Sequence, residues 1–220
     1  MRAFAFWATL LMDSRESLRR QLEHGIHALR LELSGEAVSR LLDFLDLLIR
    51  WNKAYNLTAV RDPAQMVTRH LLDSLAVLPY VRGETLADLG SGAGLPGIPL
   101  AIARPDLQVT LVDSNGKKAR FLREAARALP LPNARVEQVR VEELERTCDC
   151  ITARAFASLA DMLAWGGHAL AADGVWLAPK GQIEKDELAQ VPAHFKVAGV
   201  HALNVPGLEA QRHLVEIRHT

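Results

Sequence analysis

At 220 residues, 49% hydrophobic and 24% charged, the chain has ordinary globular composition and enough length for one sizeable core with a small extra lobe. Its 26 basic and 26 acidic residues cancel. That excludes a global field drawing the protein to nucleic acid or membrane, so any polyanion site must come from local clustering.

The first dozen residues, "MRAFAFWATLLM", combine one arginine with an apolar run. The run is too short to span a bilayer, and "DSRESLRRQ" follows without a small-residue cleavage site. Residues 1–13 are therefore expected to form a disordered or loosely packed tail with no membrane role. Residues 14–82 read as a helical segment packed on the core. Leu18, Leu22, Ile26 and Leu29 recur at helical spacing from Ser14 to about Leu33. Ser34 then caps a second helix, with Glu36 in its first turn and Ala37 where a capping box would want an acid. Val38, Leu41, Leu42, Leu45, Leu48 and Ile49 form its apolar stripe. A third helix is expected over roughly Gln65 to Leu78, stopped by Pro79.

From residue 83 to 220 the pattern changes. "TLADLG", "QVTLVDS", "ARVEQVRV", "DCITARAF" and "GVWLAPKG" are short apolar or β-branched runs. Helical stretches at Ile98–Ala103, Lys117–Leu129 and around Asp161–Ala171 separate them. This alternation predicts an α/β, Rossmann-like doubly wound sheet, mostly parallel, with helices on both faces. Two further strands near the C-terminus, joined through a Pro-Gly turn, are expected to close it as an antiparallel pair. Cys148 and Cys150, one residue apart in a strand, fit neither a zinc knuckle nor a disulfide framework. They read as buried thiols in a reducing, cytoplasmic setting.

The stretch "ADLGSGAGLPGIPLAIARP" carries two overlapping motifs. Asp88, Gly90, Gly92 and Gly94 spell D-x-G-x-G-x-G, while Gly92, Gly94 and Gly97 spell the dinucleotide fingerprint G-x-G-x-x-G. A dinucleotide would rest its pyrophosphate on free N–H groups at the start of the next helix. Pro96 and Pro99 delete two such donors, and an Asp88 carboxylate would repel phosphate. S-adenosylmethionine has no phosphate and carries a positive sulfonium, for which Asp88 is attractive. Asp113, ending "LVD", is placed to accept hydrogen bonds from ribose hydroxyls of either ligand. A methyl-donor site is thus read from residue chemistry. The rivals are an NAD(P)-dependent oxidoreductase, a methyltransferase acting on protein or small molecules, and a non-catalytic donor-sensing or RNA-binding module.

Several further stretches carry a family resemblance: "WNKAYNLTAV", "VTRHLLDSLAVL", "DLGSGAGLPGIPLAI", "LVDSNGKKARFL", "VRVEEL", "RAFASL", "APKGQ" and "QRHLVEI". With them the chain, apart from its first dozen residues, resembles the RsmG (GidB) family of bacterial 16S rRNA guanine-N7 methyltransferases. The resemblance implies a class I methyltransferase fold over 83–220 and S-adenosyl-L-methionine as cofactor. It also implies methyl transfer to N7 of one guanine in the decoding-region loop of 16S rRNA, free or within the small subunit or its precursor. Its donor-site residues fall here on Gly90, Leu95, Asp113, Ser114, Val141, Glu142 and Arg154. Arg154, at the end of the fourth strand, is the candidate catalytic residue, clamping the donor carboxylate or steering the guanine through O6.

N7 carries an in-plane lone pair at neutral pH, so the chemistry requires positioning rather than a general base or metal. The chain has no H-E-x-x-H or Cys/His ligand spacing. Asn56, His70, Asp73 and Ser74 are candidates for the rim by resemblance, and His70 could bond Asp73 at i,i+3 spacing. Lys117, Lys118, Arg120, Arg123 and Arg127 form a local basic cluster for phosphates. Arg50 and Lys53 flank Trp51 and Tyr55 in a possible stacking platform, with Lys180 and Arg212 adding charge. Against this, basic helices are usually solvated faces and Trp51 suits a core. A monomer is expected.

Overall fold

Leucine periodicity builds the first third of the molecule. The computed structural model describes residues 2–154, 158–183 and 186–220, with side chains from Ser14 onward. Helix α1 spans Arg2–Ala28 and buries Leu22 and Ile26. It starts well ahead of Ser14, so the backbone of residues 2–13, expected as part of a tail, is helical, while the side chains of 1–13 lie outside the described residues. Helix α2, Gly35–Tyr55, opens as expected: the Ser34 hydroxyl accepts from the Ala37 N–H at 3.1 Å, and Glu36 pairs with Arg40 at 2.6 Å. Its buried face is Leu41, Leu42, Phe44, Leu45 and Leu48. At about 2 kcal/mol for each such side chain, this face fixes the helix to the core.

The third helical stretch begins earlier than its apolar period implied. Asp62 caps it, accepting from the Ala64 and Gln65 amides, and Pro63 takes the first helical position where no N–H is needed. Helix α3, Pro63–Met66, then gives way to a π-helical turn over Val67–Leu72, followed by α4, Asp73–Leu75. A π turn re-phases the residues on either side of it, which a regular periodicity cannot reveal. Here it places His70 and Asp73 on the side that becomes the cleft.

The alternating part forms as predicted, with strand lengths that depart from the apolar runs. In chain order it comprises β1 (Thr85–Leu89), α5 (Gly97–Ala103), β2 (Gln108–Val112), α6 (Gly116–Ala128), β3 (Ala134–Glu137) and β4 (Cys148–Thr152). There follow α7 (Leu159–Gly166), β5 (Leu170–Lys180), β6 (Phe195–Ala202) and β7 (His213–His219). β1 to β4 are shorter than their apolar runs and β5 is longer, starting at Leu170 where the helix around Asp161–Ala171 was expected to continue. The sheet order is β3-β2-β1-β4-β5-β7-β6. β1 to β5 are parallel, with Asp88 beside Leu111 on one flank and Thr152 on the other. The last two strands pair antiparallel, and it is β7 that joins β5.

β3 ends at Glu137, short of the expected run to Val141, and Val141–Glu143 after it is a 3-10 turn at the cleft. Residues 155–157, inside the expected "DCITARAF" strand and the "RAFASL" motif, lie outside the described residues.

Apolar side chains fill both faces of the sheet. α2, α5, α6 and the π turn meet on one face through Phe44, Val67, Leu100, Phe121 and Leu122. α7 covers the other with Leu159, Met162 and Leu163 against Trp176 and Ile217. Trp51 packs against Phe121 with ring centroids 5.7 Å apart, and against Tyr55 at 4.9 Å. It therefore serves the α2–α6 contact, contrary to a free stacking platform. Cys148 and Cys150 are buried free thiols, and burial pushes Cys150 up to about 12. No helix among the described residues is long and apolar enough to cross a membrane.

Candidate active site

The carboxyl ends of β1, β2 and β4 open into a chain of cavities beside the point where the strand order reverses, where open α/β sheets bind ligands. A cavity of about 370 Å³ is lined by Gly90, Asp113, Ser114, Val141, Glu142, Lys118 and Trp165. The next, about 260 Å³, shares Gly90 and Lys118 with it and adds Gly92, Leu95, Thr58, His70 and Arg154. Two expected donor-site residues, Asp88 and Gly94, line neither cavity.

The glycines of the loop divide the work. Gly90 and Gly92 have φ of 68° and 57°, a left-handed backbone that glycine adopts without strain. A β-carbon on Gly92 would find its nearest neighbour at 3.7 Å, so this side of the loop is open. Gly94 faces inward, where a β-carbon would strike Ile98 and come within 3.2 Å of Leu122. Its open side is filled by α5 and α6, so it serves the packing of the loop.

Asp88 is likewise turned away from the cleft. It is fully buried, and its Oδ2 accepts the Gly97 N–H at 3.0 Å while Oδ1 has no partner. Burial pushes its carboxyl up to about 7, against the Gly97 hydrogen bond. The expectation of a carboxylate facing the donor is thus corrected: the side chain ties the loop to α5 from beneath.

This has a measurable consequence. Between its ordinary value of 3.8 and about 7, the native chain keeps a proton at Asp88 that the unfolded chain has lost. The associated stability is complete below pH 4 and lost as pH rises to 7. Asp88→Asn keeps an acceptor for Gly97 without that loss. Its urea-unfolding free energy relative to wild type should therefore grow between pH 4 and pH 7, by on the order of 4 kcal/mol at most. A pH-independent difference would contradict the assignment.

The start of α5 offers no seat for phosphate. The Gly97 N–H goes to Asp88, Ile98 N–H to the Gly94 carbonyl and Leu100 N–H to the Pro96 carbonyl, while Pro96 and Pro99 have none. The dinucleotide reading therefore lacks its anchor. Asp113, 6% exposed, ends β2 and accepts from the Gly92 amide (2.9 Å) and the Asn115 amide (2.9 Å), with Lys118 Nζ 3.7 Å away. A carboxylate has capacity beyond two such bonds, and this one borders the larger donor-side cavity. A glycine floor, a strand-end acid and no phosphate seat fit a nucleoside carrying a sulfonium.

Beyond Arg154 lies a third cavity of about 350 Å³, lined by Val60, Arg69, His70, Asp73, Arg154, Pro179, Lys180, Gly181 and Arg212. Asp73 is its buried anion. Its Oδ2 accepts from Arg154 Nη1 at 3.0 Å and its Oδ1 from Arg212 Nε at 3.0 Å. His70 does not bond Asp73: its Nε2 meets Thr58 Oγ1 at 2.9 Å. Burial, with the Arg154 guanidinium beside it, pulls His70 down to about 4, so the ring is neutral at pH 7. Asn52, which the sequence reading passed over, fixes this wall by exchanging hydrogen bonds with the Thr58 N–H (2.9 Å) and carbonyl (3.0 Å).

The remaining rim candidates divide. Asn56 caps α2 with φ 50° and accepts from Arg61, while Ser74 is buried beneath the π turn. Lys118, expected only as an RNA contact, sits between the two donor-side cavities, and Lys180 pairs with Glu187 at 2.6 Å. Part of the α6 cluster is engaged within the chain, Arg127 with Glu124 and Arg123 with Gln138.

Strand order, loop and cleft together define a class I S-adenosylmethionine-dependent methyltransferase. Solved structures share the fold. TrmN from Thermus thermophilus superposes with TM-score 0.54 at 17% identity over 77% of this chain and 53% of that one. Trm5b from Pyrococcus abyssi gives 0.53 at 17%, over 70% and 49%. Residues 37–215 match the family model GidB, rRNA small subunit methyltransferase G, and the chain belongs to that family. The chain is 59% identical over 199 residues to "Ribosomal RNA small subunit methyltransferase G" of Xanthomonas euvesicatoria pv. vesicatoria (strain 85-10), covering 90% of this chain and 93% of the relative. The protein of the same name from Xylella fastidiosa (strain 9a5c) is 55% identical with the same coverage.

Proposed function

We propose that the protein methylates N7 of a guanine in the decoding-region loop of 16S rRNA. Relatives named for small-subunit rRNA methylation support the RNA substrate. The observation that favours a ring nitrogen such as N7 over a ribose hydroxyl is the surroundings of the two groups in the acceptor cavity that could take a proton. Asp73 is held between two guanidiniums, and His70 is a base of conjugate pKa about 4. The His70 ring is poorly matched to deprotonating a ribose hydroxyl near neutral pH, and the Asp73 oxygens are occupied by the guanidiniums. A nucleophile that already bears its lone pair, as guanine N7 does, needs no such help.

S-adenosylmethionine supplies a methyl group activated by its sulfonium. Asp113 receives the ribose hydroxyls, with its carboxylate fixed by the Gly92 and Asn115 amides. Val141 and Glu142 meet the adenine edge from their 3-10 turn, and Ser114 closes that end. Gly90, Gly92 and Leu95 form the floor toward the methyl group. Arg154 stands on the wall common to the donor and acceptor cavities, held in place by Asp73. Its guanidinium orients the reacting groups, and Asp73 is a positioning residue acting through it. Arg69, Lys180 and Arg212 give the acceptor cavity the positive surround an RNA phosphate requires. An accessible guanine N7 also implies a loop or disrupted helix, because the A-form major groove is too deep and narrow to enter.

Borohydride–aniline treatment cleaves RNA at N7-methylated guanine, so primer extension on small-subunit rRNA incubated with protein and donor should stop at a single loop guanine. Tritiated methyl incorporated into the RNA without scission would reject N7.

A further inference from the structure

Neighbouring cavities share lining residues in series, and the last has no part in the chemistry above. The two donor-side cavities share Gly90 and Lys118, and the second shares His70 and Arg154 with the acceptor cavity. The acceptor cavity in turn shares Arg69 with a fourth, a groove of about 520 Å³. α1, α3, the start of the π turn and the β6–β7 connection form its walls, contributing Gln21, Gln65, Thr68, Gly207 and Glu209.

We propose that this groove holds the nucleotide adjoining the target guanine on one side, in a single strand that leaves the acceptor cavity across Arg69. The inference rests on the RNA reading given above. Adjacency is its first ground. A base seated in the acceptor cavity stays joined by phosphodiesters to both neighbours, and the side toward His70 and Arg154 leads to the donor. The groove lies on the Arg69 side, and Arg69 is exposed on the shared wall, where an intervening phosphate would pass.

Chemistry and size supply the other grounds. The exposed Gln65 amide and the loop backbone suit base edges and ribose hydroxyls, whereas Gln21 Nε2 and Thr68 Oγ1 are engaged within the wall, and the Glu209 carboxylate disfavours a phosphate inside the groove and leaves it at Arg69. The groove, about 520 Å³, is no smaller than the acceptor cavity, about 350 Å³, so volume does not exclude a base there.

Its walls are also fixed before any ligand arrives. Gln21 Nε2 donates to the Ala64 carbonyl (3.0 Å) and to Thr68 Oγ1 (3.1 Å), tying α1 to the π turn. Gly207, at φ 76°, brings the β6–β7 connection so close that a β-carbon there would lie 3.4 Å from Thr68 Oγ1. A preformed wall spares the bound strand part of the ordering cost.

Gln65 is exposed on α3 and outside the methyl-transfer machinery, which makes it the position to test. Short RNAs ending at the target guanine can be lengthened one nucleotide at a time, 5′ or 3′, and their Kd measured with S-adenosylhomocysteine present. Wild type should gain affinity on lengthening in one direction. Gln65→Glu should remove that gain several-fold and Gln65→Lys should enlarge it. The Kd of the unlengthened RNA, the Kd of S-adenosylhomocysteine and the melting temperature should not move. An equal gain in wild type and Gln65→Glu, or an equal loss on every RNA, overturns the groove assignment while the RNA reading stands. If wild type methylates no RNA while binding donor normally, the underlying reading fails, and the groove assignment with it.

Discussion

Arg154→Ala is expected to lower single-turnover methyl transfer by about 100-fold or more, the scale on which lost alignment of reacting groups costs rate. The side chain borders both the donor and acceptor cavities, so no other described group can take over its position unaided. Arg154→Lys keeps the charge but replaces a planar fork with a point donor, and should recover only a small part of the rate. The fold should persist. Arg154 is 24% exposed and its loss leaves Asp73 still paired with Arg212, so the stability cost is about 1 kcal/mol. Turnover at the wild-type level in the alanine variant would remove Arg154 from the site.

Asp73→Ala carries the second large effect, and it reaches stability as well as rate. Asp73 is 8% exposed and separates two guanidiniums that face the same cavity. Without it two like charges share a partly buried wall, at a cost of about 3 kcal/mol. For a chain of this length that lowers Tm by about 6–12 °C. Turnover should fall roughly 10- to 100-fold because Arg154 is no longer held. Asp73→Asn retains one acceptor oxygen and should lie between alanine and wild type. If Asp73 works through Arg154, the double variant Asp73→Ala/Arg154→Ala is no slower than Arg154→Ala alone. A lowered Tm with full turnover would make Asp73 purely structural.

Most of the donor side was legible before any coordinates. A strand, a glycine loop, a helix and an acid ending the next strand are local signals, and in a parallel sheet they converge at the carboxyl ends of neighbouring strands. Gly90, Gly92 and Asp113 follow from those signals, whereas Leu95, Ser114, Val141, Glu142 and Arg154 were expected from the family resemblance; all eight line one cleft. The errors came from side-chain direction. Asp88 alternates inward along β1 and is captured by the Gly97 amide, and Gly94 is pressed against Ile98. A motif shows which residues are present, not which way a strand's last turn rotates them.

The acceptor side was the less legible half. Asp73 and Arg212 are 139 residues apart, and no window of sequence joins them. The π turn that aims His70 and Asp73 at the cleft leaves the apolar period nearly intact, so it passes for an ordinary helix. Trp51 was ambiguous between platform and core until α6 brought Phe121 against it.

For this chain, local order and composition determined the class of fold, the place where a phosphate-free nucleoside can lie, and the absence of a net field toward RNA. These follow from short-range rules: strand alternation, glycine's freedom at positive φ and proline's missing N–H. Only the tertiary structure decided which charges meet. The pairing of Arg154 and Arg212 on one buried carboxylate, the neutral state of His70 and the inward turn of Asp88 all depend on burial and on partners brought together from distant segments. Electrostatic energies vary so steeply with desolvation and distance that residue order alone leaves them open.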